Sequence, residues 1–330
     1  MAVLVTGGAG YIGSHMVLSL LEQGEDVTIL DNLSTGLWWL VPPRALLVKG
    51  DIGDQAVLDD ILGTKSYDAI IHFAGSIVVP ESVADPLSYY LNNTVKSREV
   101  LAAAVRHRVP RFIFSSTAAV YGMPETGMVD EKAPLQPISP YGASKLMSEQ
   151  MLADVGRAHG LSYAILRYFN VAGADDEGRS GQSNPQATHL IKVASQTVLG
   201  QRPFMEIFGR DYDTPDGTCV RDYIHVSDLI DAHSAALSYL REGGASDIFN
   251  CGYGQGYSVA QVISAVEAVS GKKITCREGE RRAGDPAQLI AKADKARQIL
   301  SWQPKRDDLQ KIVKSALDWE AQLMRRTNGA

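Results

Sequence analysis

Tyr141 and Lys145 stand four residues apart in the stretch SPYGASK, directly after Pro140. Four residues is one helical turn, so both side chains share a face. A free phenol ionises at about 10 and a lysine at about 10.4, so an isolated tyrosine is a poor base at neutral pH. A neighbouring ammonium favours the phenolate. Ser139 suits the N-cap and Pro140 the first helical position. Tyr141 then falls in the first turn, where the helix dipole favours negative charge. The same spacing on a surface helix carries no chemistry, so the other residues must decide.

A second cluster lies at the start of the chain. VLVTGGAGYIGSH carries Gly7, Gly10 and Gly13 between an apolar run and a helical segment. Glycines so placed let the backbone approach a pyrophosphate, whose charge sits at a helix N-terminus. The next apolar run, DVTILD, ends in Asp31, at the separation expected of an acid that binds an adenosine ribose diol. An acid there repels a 2′-phosphate, which favours NAD over NADP. Asp51 and Ile52 follow the third apolar run, at the edge where an adenine would lie. HFAG, residues 72–75, ends the fourth, and His72 alone reads as structural.

The elements that must position these residues alternate. AVLVTG, DVTILD, ALLVKGD, DAIIHFAG, RFIFSS and SYAILRYFN read as strands separated by helix-length segments. That pattern predicts an α/β fold, a Rossmann-type doubly wound parallel sheet. Helices are expected over 12–23, 86–107, 140–159, 259–270 and about 309–324. AGADDEGRSGQSNPQ is polar and opens a second region, a smaller, interleaved α/β substrate domain. The division expected is 1–172 and 173–330, with a return of about 222–242 to the first part.

Composition excludes several classes. The chain has 330 residues and a net charge of −6, without a basic cluster for nucleic acid. Its three cysteines, Cys219, Cys251 and Cys276, form neither a disulfide framework nor a zinc spacing, and its seven histidines are dispersed. No metal site is expected. No apolar run spans a bilayer and none reads as a leader, so a cytoplasmic protein without membrane contact is expected.

The motifs TGGAGYIGSH, GDI, HFAG, NN, FSSTAAVYG, SPYGASK, RYFNVAGA, RDYIHVSDL and RRAGDP run nearly end to end. With them the chain resembles the extended short-chain dehydrogenase/reductase family, and within it the UDP-glucose (UDP-galactose) 4-epimerases. The resemblance implies that Tyr141 accepts a proton, that Lys145 lowers its pKa and binds the nicotinamide ribose, and that Thr117 is the hydroxyl partner. It implies NAD as cofactor, held also by Tyr11, Ile12, Asn32, Phe73, Ala74, Gly75, Asn92, Ser115 and Tyr168, with Ser116 a neighbour. It implies a UDP-sugar substrate, with Asn170, Arg221, Arg282 and Asp285 on the nucleotide and Phe169, His189, Leu190 and Leu289 lining the rest.

The implied reaction takes the proton from the sugar 4-hydroxyl to Tyr141 and the hydride from C4 to NAD+. The 4-keto sugar then turns over and is reduced on its other face. Three positions depart from the family pattern. Ile77 stands where a lysine often contacts cofactor phosphate, and His189 where an asparagine is common. Leu289 is intermediate between the small residues that admit N-acetylated sugars and the tyrosine that excludes them. FSSTAAVYG carries no acid, which argues against a 4,6-dehydratase or decarboxylase. Epimerases of UDP-xylose/arabinose, UDP-N-acetylglucosamine or UDP-glucuronate remain alternatives, as does a non-catalytic NAD sensor, which would lack Tyr141 or Lys145. A homodimer is expected from the family, through the helices over 86–107 and 140–159.

Overall fold

The computed structural model describes residues 1–282 and 284–328. Ala283, inside RRAGDP, lies outside them. The strands are β1 (Ala2–Thr6), β2 (Asp26–Asp31), β3 (Leu46–Lys49), β4 (Ala69–His72), β5 (Arg111–Thr117), β6 (Met128–Val129) and β7 (Ser162–Tyr168). They continue with β8 (Asn170–Ala172), β9 (Met205–Phe208), β10 (Val220–His225), β11 (Asp247–Cys251), β12 (Gly256–Ser258), β13 (Cys276–Gly279) and β14 (Gln288–Ala291). A seven-stranded sheet runs β11-β7-β5-β4-β1-β2-β3, with every pairing parallel. The order reverses between β1 and β4, and such a switch point opens a ligand crevice beyond the strands' carboxyl ends.

Both faces of this sheet are covered, which is why its strands read as unbroken apolar runs. Val3, Val5, Ile29, Ile71 and Ile113 pack into one core. Their neighbours Leu4, Leu30, Ile70, Phe112 and Phe114 pack into another on the opposite side. Each such side chain contributes roughly 1.5–3 kcal/mol by leaving water. A second sheet orders β12-β10-β14-β6, with β8 beside β10, and β9 pairs with β13. Only residue 169 separates β7 of the large sheet from β8 of the second.

Helices α1 (Tyr11–Glu22), α2 (Gln55–Gly63), α3 (Val79–Ala84), α4 (Pro86–Tyr89), α5 (Lys96–Arg106) and α6 (Pro140–His159) belong to the first half. Then come α7 (Leu190–Val198), α8 (Val226–Arg241), α9 (Val259–Ser270), α10 (Asp294–Ile299) and α11 (Leu309–Asn328). Helix α8 packs on α1, β5 and β7. The single helix expected over 86–107 is interrupted by a π-helical turn, Tyr90–Val95, and α3 precedes it. The reason is local. The Asn93 carbonyl accepts hydroxyls from Ser97 at 2.6 Å and Ser148 at 2.8 Å, which draws it out of the regular ladder.

Helix α6 begins as its sequence implies. Ser139 accepts the Gly142 N–H at 3.2 Å, Pro140 opens the first turn, and Gly160 closes the helix in the left-handed region. Ser139→Ala removes the cap. It is expected to lower stability by about 1 kcal/mol and the melting temperature by roughly 2 °C, with the circular dichroism spectrum unchanged.

Candidate active site

The start of α6 is held against the end of β5. A side chain on Gly142 would place its Cβ 2.5 Å from the Ala119 carbonyl, so glycine there permits the approach. That closeness brings Tyr141 to Thr117, the last residue of β5. Thr117 Oγ1 accepts the Ala119 N–H at 3.1 Å, which leaves its own proton for Tyr141. The Lys145 ammonium donates to the Ser115 carbonyl at 3.0 Å and lies 4.9 Å over the Phe114 ring. The Ser115 hydroxyl donates to His233 Nε2 at 3.0 Å, because His233 Nδ1 carries its hydrogen toward the Leu229 carbonyl, 2.9 Å away. Helix α8 therefore braces β5, and β5 braces Lys145.

Tyr141 and Lys145 are both buried. Burial pushes the Lys145 amine down to about 8, against an upward pull from Glu149. Burial pushes the Tyr141 phenol above its ordinary value, and the Thr117 hydroxyl acts in the opposite direction. The Lys145 ammonium, the nearby cation on the same helix face, is bound to the Ser115 carbonyl. His72 is structural, as read from the sequence. Ser97 gives its proton to Asn93, so His72 Nε2–H donates to Ser97 at 2.9 Å and Nδ1 accepts from Thr6 at 2.7 Å. Burial first and then the Lys145 charge push it down to about 3, so it adds no second cation.

The glycine turn fits a dinucleotide. Gly7 has φ +71, and a Cβ on it would meet Ala74 N at 2.6 Å; one on Gly13 would meet the Gly7 carbonyl at 2.1 Å. Phe73 and Gly75 flank Ala74 on the same loop. Gly10 caps α1 without a side-chain acceptor, so the first-turn N–H groups from Tyr11 and Ile12 onward stay open to a diphosphate. The Tyr11 hydroxyl donates to the Gly173 carbonyl at 2.7 Å. Asp31 accepts from Ala9 N at 2.9 Å and Leu33 N at 2.8 Å, which fixes its carboxylate and leaves lone pairs for a diol. Asn32 accepts the Ser34 N–H at 3.0 Å. Burial disfavours the Asp51 carboxylate, but Lys96 at 2.6 Å and the Gly53 N–H outweigh it and hold its pKa low. Ile52, next to it, is buried. Ile77 is half exposed and makes no phosphate contact possible by its chemistry.

Asn92 donates to the Ser76 hydroxyl at 2.9 Å. Its neighbour Asn93, which sequence reasoning passed over, does more. It is buried, accepts the Ser76 N–H at 2.7 Å, and donates to the Ser76 carbonyl at 2.9 Å and the Ser144 hydroxyl at 3.1 Å. It thereby ties the loop after β4 to α6. NN was visible in the sequence, but nothing there told which asparagine turns inward.

The remaining residues gather toward the second sheet. Tyr168 pairs with Thr117 in register, Phe169 is buried, and Asn170 pairs with Tyr223. Asn170, His189, Leu190, Tyr11 and Tyr223 line one narrow cavity. Arg221 and Asp285 lie 3.6 Å apart, and Arg282 stacks 3.8 Å over the Phe208 ring. Leu289 is buried and pairs in register with Arg221. Phe208 was not anticipated, since a lone aromatic in IFG carries no signal of its own.

The buried ammonium has a measurable cost. In an unfolded chain Lys145 titrates at about 10.4, and in the fold at about 8. Between those values the unfolded chain binds more protons, so the penalty is full below about pH 8 and fades as pH rises toward about 10. Lys145→Met is therefore expected to be more stable than wild type at pH 7, by about 1–3 kcal/mol, with the gap closing by about pH 10. Denaturant titrations of cofactor-free protein across that range check it.

The model of the NAD dependent epimerase/dehydratase family matches residues 3–252. A UDP-glucose 4-epimerase of Azospirillum brasilense is 58% identical over 321 residues, 97% of this chain and 92% of that protein. Among solved structures, the UDP-glucose 4-epimerase from Brucella ovis in complex with NAD has a TM-score of 0.93 at 42% identity, covering 96% of this chain and 97% of that one. The UDP-Glc/GlcNAc 4-epimerase from Campylobacter jejuni has a TM-score of 0.85 at 48% identity, covering 97% and 99%. The switch-point crevice, the glycine cradle and the paired Tyr141 and Lys145 thus meet in a chain that belongs to the NAD dependent epimerase/dehydratase family.

Proposed function

We propose that this chain interconverts UDP-glucose and UDP-galactose, inverting the sugar at C4 with NAD as a tightly used cofactor. The observation that carries it is the meeting of Tyr141, Thr117 and Lys145 at the carboxyl edge of β5, beside the glycine cradle. Bound NAD+ supplies the hydride acceptor and donor, so the sugar passes through a 4-keto form with no net redox change.

The chain's own residues do the rest. Tyr141, as the phenolate, takes the 4-hydroxyl proton and later returns it, and Thr117 donates to the oxygen while it is charged. Lys145, fixed by Ser115, directs its other N–H donors at the nicotinamide ribose and the phenol. Bringing a phenol from about 10 toward 7 takes roughly 4 kcal/mol, within reach of Lys145, the positive nicotinamide of NAD+ and the helix terminus together. Asp31 would hold the adenosine ribose of NAD, and the α1 N-terminus its pyrophosphate. Arg221, Arg282, Asn170 and Asp285 hold the UDP, where binding energy is best placed if the sugar must turn over. His189 and Leu190 line the diphosphate side, and Phe169, Tyr168 and Leu289 the sugar side. The Campylobacter jejuni relative supports a second reading, in which Leu289 leaves room for N-acetylated sugars.

The decisive experiment is turnover of UDP-galactose carrying deuterium at C4. The label is expected to stay on carbon in the UDP-glucose formed; loss of it to solvent would exclude the mechanism. Tyr141→Phe is expected to lower kcat by at least about 10³-fold while NAD stays bound.

The domain division proposed is 1–172 and 173–330, with residues near 222–242 returning to the first, in a cytoplasmic protein. Among the described residues no helix is long and apolar enough to cross a membrane. A homodimer completes the reading. Val83, Leu87, Leu91 and Val95 are exposed at four-residue intervals across α3, α4 and the π turn, and Met147 is exposed on α6. An apolar stripe of this kind fits a four-helix interface with a second copy. Leu87→Glu with Leu91→Glu is expected to turn a dimer into a monomer in light scattering; a monomeric wild type would exclude it.

A further inference from the structure

One helical turn beyond Lys145, α6 carries a second buried charge, Glu149. A free carboxylate there would be within reach of the Lys145 ammonium, since the two share a face four residues apart. The two do not pair. Glu149 Oε1 accepts the Ser116 hydroxyl and Arg167 Nε at 3.0 Å, and Oε2 accepts Arg167 Nη2 at 2.5 Å. Arg167 is among the largest fully buried side chains, and its Nη1 donates to the Tyr121 hydroxyl at 3.2 Å. Tyr121 donates to Asn250 Oδ1 at 2.6 Å, and Asn250 donates to the Val129 carbonyl at 3.1 Å. The carboxylate is thus locked from the β5, β7 and β11 side.

Burying an ion pair is expensive, and two apolar side chains would fill this space at least as stably. Packing therefore does not explain it, but the neighbouring lysine does. Resting on the proposed reaction, we infer that Arg167 and Ser116 hold Glu149 as a fixed counter-charge one turn from Lys145, close enough to keep Lys145 protonated but unable to bind it. Of the three ammonium donors, one goes to Ser115, and two stay available to the cofactor ribose and to Tyr141. Without Arg167, Glu149 would capture Lys145. Without Glu149, the buried ammonium would face the oxidised nicotinamide with no compensating charge.

The other groups around Lys145 do not substitute for Glu149. Tyr141 shares its helix, and its charge is lost whenever it holds the sugar proton. His72 on β4 is neutral, Phe114 on β5 offers a ring face, and Asn93 on the π turn is uncharged. Tyr89 on α4 sits 6.5 Å from Tyr141, with its hydroxyl on the Val78 carbonyl and Glu81. Arg167 on β7 carries positive charge of its own. Glu149 and Arg167 are positioning residues, since they act through Lys145.

The test uses the NAD-loaded enzyme with UDP-galactose and reads kcat and KM across pH, with melting temperature as control. In Glu149→Gln the basic limb of kcat, where Lys145 deprotonates, is expected to fall by about one pH unit. The acid limb should move less, and KM should stay within about twofold. Should the single change unfold the protein, Glu149→Gln with Arg167→Met removes both charges and is expected to move the limb downward by less, because losing the Arg167 charge offsets part of the shift. Arg167→Met alone should shift the limb upward and lower kcat at every pH. A basic limb unmoved in the folded variants overturns the inference, even if kcat falls. A wild type that does not epimerise UDP-galactose sinks the proposed reaction instead, so the two failures are distinguishable.

Discussion

A positive charge buried at Lys145 is the constraint around which the first half of this protein is organised. An ammonium out of water is destabilising by several kcal/mol unless its donors and its field are compensated. The Ser115 carbonyl meets one donor, and the His233–Ser115 bond fixes the strand that carries it. The Phe114 ring offers its negative face, His72 is held neutral, and Glu149 supplies the opposite charge. These groups are spread over four elements, so β4, β5, α6 and α8 must be in register before the lysine can be accommodated. The site is accordingly a product of the whole sheet and not of a loop.

The second constraint is close approach. Gly7 and Gly13 let the first turn of α1 fold back on β1 and on the loop after β4, and Gly142 lets α6 reach the turn after β5. Bulkier residues would separate the two halves of the crevice by the width of a methyl group. That separation would exceed the tolerance of hydrogen bonds between a fixed phenol and a bound sugar, which fail beyond about 3.2 Å. The glycines therefore set the distance that the charges then exploit.

Much of this was legible before the structure, for identifiable reasons. The strands of the large sheet are apolar on both faces, so their runs are unmistakable, and Ser139-Pro140 announces α6. What escaped notice depends on partners distant in sequence. The π turn follows from Ser148 reaching the Asn93 carbonyl 55 residues away. The choice of Asn93 over Asn92 depends on Ser76 and Ser144. A spacing of four residues says which groups share a face, but not that Ser115 holds the Lys145 ammonium. Glu149 reads as an ordinary helical carboxylate until Arg167, on β7, is seen beside it.

One residue joins the two ends of the site. Tyr168 closes β7 beside Thr117, and Asn170 opens β8 beside Tyr223, with Phe169 buried between them. The proposed reacting end is thereby fixed to the large sheet and the proposed nucleotide end to the second sheet. The two ends also differ in chemistry. Arg221 and Arg282 offer forked, charged donors suited to phosphate, with Asp285 and Phe208 holding them in place. Around Tyr141 the groups are a hydroxyl, aromatic rings and a lysine already committed to its strand. A ligand held by its diphosphate and touched lightly at its sugar can keep the first contact while reorienting the second. An inversion at a single carbon requires that freedom, and a rigid pocket complementary to one epimer would forbid it.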